Sequence, residues 1–193
     1  MAVAPDSWWS CQLHRCADKS VNIHATCVKL GNAGAWLNAS PDAGVLLLGP
    51  SGVGKSDLAV RLIGDGALLV SDDRTELFVK DGALMAQAPP VLRGLLEIRG
   101  VGIIELPCAE PSNVTIAVML AQAAKPDRLP EIERFQPPAG LEVSAEKWPP
   151  LLHLDPREAS AAAKIAATVA GFEHGLFLES CRPRQASMSG PDR

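Results

Sequence analysis

The chain has 193 residues, 47% hydrophobic and 21% charged, enough for one compact domain and too few for a second large one. With 18 Lys and Arg against 22 Asp and Glu, the net charge of −4 leaves no basic excess to neutralise nucleic-acid phosphates or an anionic membrane, so neither is expected as a partner. The apolar runs fall well short of the roughly 20 residues that a membrane-crossing helix requires.

Residues 1–20 carry a Trp8-Trp9 pair, scattered charge and no periodicity, the pattern of a loose N-terminal arm. Nothing there has the basic and then apolar character of a secretion signal, so a cytoplasmic location is expected. The five cysteines are odd in number and never form a C-x-x-C pair, so they read as reduced thiols. Cys11, His14 and Cys16 lack a fourth metal ligand at suitable spacing.

Val21–Lys29 and Gly44–Leu48 read as strands. The second is so uniformly apolar that both of its faces must be covered, as in a central strand of an α/β sheet. A helix follows over Lys55–Asp65, with Leu58, Leu62 and Ile63 on one face, and stops at Gly64-Asp65-Gly66 before a new apolar run, Ala67–Val70. Glu76–Lys80 and Ala83–Ala86 flank Asp81-Gly82, a strong hairpin signal, so antiparallel strands join the sheet and make it mixed. Leu95–Glu105 has the apolar content of a core strand but contains Glu97 and Arg99, which need partners if buried. The same pattern suits an exposed face of an edge strand carrying a surface pair.

Val114–Leu120 is a further strand. Asp155 as N-cap, Pro156 at the first helical position and Gly171 as the terminating glycine bracket an Ala-rich helix. The polar, Pro- and Gly-containing tail at 182–193 is expected to be disordered. The predicted class is therefore α/β, a mixed sheet with flanking helices.

The most specific motif is Gly49-Pro50-Ser51-Gly52-Val53-Gly54-Lys55-Ser56, a full G-x-x-x-x-G-K-[ST] phosphate loop between a buried strand and an amphipathic helix. Its glycines let backbone N–H groups curl around an oxyanion, and the helix beginning near Lys55 turns its positive end toward the phosphates. Lys55 neutralises β/γ oxygens in such a loop, and Ser56 offers a hydroxyl to Mg2+. These eight positions are the predicted nucleotide-binding residues.

Phosphoryl transfer also needs carboxylates near the nucleophile and the metal. Asp72 and Asp73 close the Ala67–Val70 strand, where the carboxyl ends of strands border the ligand crevice. Neighbours on an extended segment point to opposite sides, so at most one of the two is expected to face a substrate while the other serves metal, water or structure. Asp72-Asp73-Arg74-Thr75 also suits an ordinary solvated turn. His24, within a strand of Val, Ile, Ala and Cys, reads by itself as a satisfied core or edge histidine.

Four pieces in order resemble the catalytic domain of the HPr kinase/phosphorylase family: Asn22-Ile23-His24-Ala25, the Gly49–Ser56 loop followed by Asp57, Leu69-Val70-Ser71-Asp72-Asp73, and Leu96-Glu-Ile-Arg-Gly-Val-Gly-Ile-Ile104. The last is similar to the family signature and is the most specific, since phosphate loops occur in many unrelated proteins. The likeness spans about Val21 to Gly175, the catalytic domain alone, as in the short branch of the family.

It implies a phosphoenolpyruvate-carboxykinase-like fold over 21–175 and an ATP- and Mg2+-dependent serine kinase acting on an HPr-like phosphocarrier of a phosphotransferase system. A homohexamer and phosphorolysis of the product are implied with it. By the same resemblance Asp72 matches the proton acceptor, Ser56 and Glu97 the Mg2+ site, His24 and Lys55 active-site positions, and Arg128 in Pro126-Asp-Arg-Leu a clamp for phosphoryl charge.

The chain departs from the family in three places. Extra sequence stands at Gly34–Ala43, the stretch after Glu105 is short, and Leu154-Asp-Pro-Arg157-Glu158 replaces the family's phosphorolysis segment, so the resemblance implies kinase activity more strongly than the reverse activity. The rival readings are a small-molecule kinase on the same scaffold and a non-catalytic ATP-binding sensor.

Overall fold

The computed structural model describes residues 19–122, 130–131 and 133–177. Residues 1–18 of the expected arm, the segment containing Arg128, and the tail at 182–193 lie outside the described residues.

Strand β3 (Gly44–Leu48) is buried along its whole length and lies at the centre of the sheet, as its uniform apolarity requires. Its alternate side chains divide between two cores. Val45 and Leu47 join one cluster with Leu58 and Leu62 of helix α1 (Lys55–Gly64) and Ile165 and Val169 of helix α2 (Ala161–Glu173). Leu46 and Leu48 join the other, with Val70, Leu77, Leu84 and Leu141.

The remaining strands are β1 (Ser20–Ile23), β2 (Thr26–Lys29), β4 (Leu68–Ser71), β5 (Thr75–Lys80), β6 (Ala83–Gln87), β9 (Ser112–Leu120), β10 (Glu133–Arg134) and β11 (Pro150–Leu154), with β7 (Leu95–Ile98) and β8 (Gly102–Glu105) set apart. One nine-stranded mixed sheet runs β1-β5-β6-β9-β3-β2-β4, with β11 beside β9 and β10 beside β11. β9 is parallel to both β3 and β11. The hairpin predicted at Asp81-Gly82 joins β5 to β6, with φ of 52° and 72° at the two turn residues, the geometry of a two-residue I′ loop.

Three sequence expectations are corrected. The strand expected over Val21–Lys29 breaks at His24-Ala25, because β1 pairs with β5 whereas β2 pairs with β3 and β4. A continuous strand cannot serve both sets of neighbours where the sheet curls. The buried Thr75 hydroxyl donates to the Ala25 carbonyl at 2.9 Å, satisfying the backbone at that break.

The stretch Leu95–Glu105 is not a core strand but a separate two-stranded hairpin, β7–β8, turning at Arg99-Gly100-Val101. Leu96 is buried, while Val101 and Ile103 are 72% and 70% exposed; Glu97 and Arg99 are exposed as well, so their charges need no buried partner.

The last helix starts at Ala161 after Ser160, not at Asp155-Pro156. The Asp155 carboxylate instead accepts hydrogen bonds from the Arg157 amide at 2.9 Å and its guanidinium at 2.7 and 3.0 Å, which closes a turn before the helix. Gly171 lies within α2, against the Phe177 ring. Termination falls to Gly175, at φ +62°, where the Leu176 amide donates to the Gly171 carbonyl at 2.9 Å.

The extra sequence at 34–43 packs as a short 3-10 turn and loop against the end of α2. The Ser40 amide donates to Glu173 at 2.7 Å, and His174 Nε2 lies 2.9 Å from the Asn38 carbonyl.

Candidate active site

The chain leaves β3 through the phosphate loop and enters α1 at Lys55. Gly49, at φ +138°, stands where a Cβ would come within 2.6 Å of the Leu120 carbonyl, so β9 can approach only a glycine there. Gly52, at φ +79°, lies under the Arg99 guanidinium, whose nitrogens are 3.4–3.5 Å from the place of its missing Cβ. Ser51, Gly52, Gly54, Lys55 and Ser56 line a cleft above this loop. Of the other predicted loop residues, Gly49 and Pro50 turn carbonyls toward Lys55, and Val53 packs against the core.

Asp72 and Asp73 complete one wall, together with His24, Thr26 and Asp57, and the hairpin supplies Glu97, Ile98 and Arg99. Both aspartates therefore border the cleft, contrary to the alternation expected of an extended strand end. The reason is local: Asp73 has φ +60°, a left-handed conformation that aspartate tolerates better than most residues, and β4 has already ended at Ser71.

Their surroundings differ. Asp72 is 5% exposed and accepts three hydrogen bonds: to Oδ1 from the hydroxyls of Thr26 at 2.7 Å and Ser56 at 2.9 Å, and to Oδ2 from the Glu97 backbone amide at 3.2 Å. Asp73 is largely solvent-facing, and its carbonyl and carboxylate lie 3.0 and 3.2 Å from His24 Nδ1. The Glu97 side chain is exposed in the cleft.

Lys55 is 6% exposed and donates to the carbonyls of Gly49 at 3.0 Å and Pro50 at 3.1 Å, with His24 Nε2 at 2.9 Å as its third partner. An ammonium has no lone pair, so Nε2 accepts and the histidine proton resides on Nδ1, facing Asp73. Burial holds the Lys55 ammonium below its usual range, against the opposing pull of the Asp73 and Asp72 carboxylates.

A phosphate chain fits this cleft by chemistry: backbone amides at a ten-residue helix start, a lysine, and the Arg99 guanidinium above the loop. The oxygen set of Ser56, Asp72 and Glu97 fits Mg2+ by chemistry, because Ser56 gives its proton to Asp72 and so keeps its lone pairs for a cation. Among the described residues no group of three or more His, Cys, Asp or Glu comes together as a metal cluster.

The family model for the HPr serine kinase C-terminal domain matches residues 24–136, from His24 through the loop, the aspartate pair and the hairpin. The chain belongs to the HPr serine kinase C-terminal domain family. HPr kinase/phosphorylases of Lactobacillus acidophilus and Peptoclostridium acidaminophilum are 52% and 50% identical to it over 64 residues, 33% of this chain and 20% and 21% of theirs. The chain thus matches about a fifth of the length of these curated relatives.

The HPr(Ser) kinase/phosphatase structure from Coxiella burnetii superposes with a TM-score of 0.61 at 22% identity, covering 81% of this chain and 98% of that one. That likeness establishes the fold class expected from the sequence, an α/β mixed sheet with flanking helices, seen among the described residues as a curled sheet with two α-helices.

His24, Lys55, Ser56, Asp72 and Glu97 line one cleft, whereas Arg128 lies outside the described residues. Sequence reasoning left Asp73 and Arg99 without roles and passed over Thr26. Strand parity hid Asp73. Arg99 was marked by its charge within an apolar stretch and by its place in the signature, neither of which gives it a role, and a threonine in a strand carries no signal at all.

Proposed function

We propose that this domain is an ATP- and Mg2+-dependent serine kinase acting on an HPr-like phosphocarrier protein. The carrying observation is the convergence of Lys55, Ser56, both aspartates and Glu97 on one cleft at the phosphate loop. Membership of the HPr serine kinase family and relatives named HPr kinase/phosphorylase support the same substrate class. Ser56 and Glu97 would hold Mg2+ with Asp72 behind them, and the ion would neutralise charge on the β and γ oxygens.

Within this reading the proton acceptor is Asp73 rather than Asp72. The three donors around Asp72 take two of its lone-pair sites on Oδ1 and one on Oδ2, fixing its orientation, which suits a holder of Ser56 beside the metal. Asp73 is open to the cleft and is oriented by His24. As the seryl oxygen forms its bond to the γ-phosphorus, the bond to the β-phosphate oxygen breaks, ADP leaves, and the seryl proton passes to Asp73. Lys55 and Arg99 would steady the phosphoryl oxygens.

Incubating the protein with γ-labelled ATP, Mg2+ and the HPr-like proteins of its own cell tests the proposal. Label should appear on a phosphocarrier serine. Label transferred only to a small metabolite, or nucleotide bound with no transfer at all, would refute the kinase assignment. Arg157 is hydrogen-bonded to Asp155; phosphorolysis is read by the same assay run with phosphorylated carrier and orthophosphate.

A further inference from the structure

Thr26 is wholly buried at the start of β2, two residues past His24, and its hydroxyl donates to Asp72 Oδ1 at 2.7 Å. The same oxygen accepts from Ser56 at 2.9 Å, and the other carboxylate oxygen is held by the Glu97 amide. Three donors from β2, α1 and β7 thus fix one carboxylate in a single orientation, and that orientation decides where the Ser56 lone pairs point. Two further buried hydroxyls lie nearby but are occupied differently: Thr75 serves the Ala25 carbonyl and Ser71, which lies 2.7 Å away. Of these threonines, Thr26 alone touches Asp72 in the described residues.

We infer that Thr26 is a positioning residue for the divalent cation, acting through Asp72 to preset Ser56 for Mg2+. The inference rests on the kinase reading above in one respect, that nucleotide binds here with a metal. Without the threonine hydroxyl the carboxylate can rotate, Ser56 can turn its proton elsewhere, and ordering both groups is left to the moment the cation arrives. Threonine fits the place because its methyl and hydroxyl fill a β-branched slot in a buried strand while supplying one donor. Valine keeps the shape and removes only that donor.

The test is the Mg2+ concentration giving half-maximal binding of a fluorescent ATP analogue, together with metal-free analogue affinity and the melting temperature. Thr26→Val should raise the Mg2+ requirement about 10–100-fold, the usual cost of losing an outer-shell partner, with metal-free affinity unchanged. Thr26→Ser should restore the wild-type requirement. Thr75→Val should lower the melting temperature and leave the requirement unchanged. Should Thr26→Val fold poorly, Thr26→Ala and Thr26→Ser make the same comparison.

An unchanged Mg2+ requirement in a folded hydroxyl-free variant would overturn the inference while leaving the kinase reading standing. An equal shift in Thr75→Val would overturn it too, by showing a general effect of losing buried polar contacts. A wild-type protein whose nucleotide binding ignores Mg2+ would overturn both.

Discussion

Lys55 shows how one side chain can be ready and restrained together. Its three protons already have acceptors in Gly49, Pro50 and His24, so an incoming phosphate competes with carbonyls rather than with bulk water. Burial lowers its pKa from 10.5, and the sign of the consequence follows. Below the folded-state value the buried charge works against folding; as pH rises from there toward 10.5 the folded protein gives up this proton before the unfolded chain does, and that handicap is relieved. Function moves the other way, since an uncharged lysine no longer attracts phosphate. Nucleotide affinity should therefore decline on the alkaline side at a pH below 10.5, and Lys55→Ala should remove that limb along with most binding; a pH-titrated dissociation constant checks both. Cys27 sits at the opposite extreme: burial pushes its thiol up to about 12, so alkylating reagents at neutral pH should modify it only after unfolding.

Among the elements, the β7–β8 hairpin and strand β3 carry opposite expectations from similar apolar sequence. Leu46 is fully buried between strands, so Leu46→Ala should cost about 2–5 kcal/mol. Ile103 is exposed, and Ile103→Ala should change stability by no more than about 0.5 kcal/mol in chemical denaturation, while a large loss would mean that the hairpin is buried in the native state. The contrast explains what the sequence could and could not reveal. β3 was legible because an uninterrupted apolar run of strand length admits few alternatives, and the Asp81-Gly82 turn because its backbone demands those residues. The hairpin was not, since Ile98-Arg-Gly-Val-Gly continues an apolar pattern through a turn whose only mark is glycine. The start of α2 was misread for a related reason: Asp155 prefers the charged neighbour Arg157 to the helix, and side-chain competition of that kind leaves no periodic trace.

At the scale of the molecule, the phosphate loop was readable to the residue, because every position in it answers to a local backbone demand. The opposite wall was readable only in part. Bringing Asp72 to Ser56 needs β4 to end beside α1, bringing Asp73 into the same cleft needs a left-handed residue, and carrying Glu97 and Arg99 over the loop needs a hairpin that folds back from outside the sheet. Each is a long-range outcome of packing. The extra segment at 34–43, which the sequence marked without explaining, fastens the turn before β3 to the end of α2, and Glu173→Ala should lower stability by about 0.5–1.5 kcal/mol without altering nucleotide affinity. The division of labour between the aspartates is the central claim, and single-turnover phosphoryl transfer measured beside Mg2+-nucleotide affinity tests it most directly. Asp73→Asn is expected to bind nucleotide as the wild type does and to transfer phosphoryl about 10²–10⁴-fold more slowly, whereas Asp72→Asn should lose Mg2+-dependent binding itself; a normal transfer rate in Asp73→Asn, or intact metal-dependent binding in Asp72→Asn, would contradict the assignment.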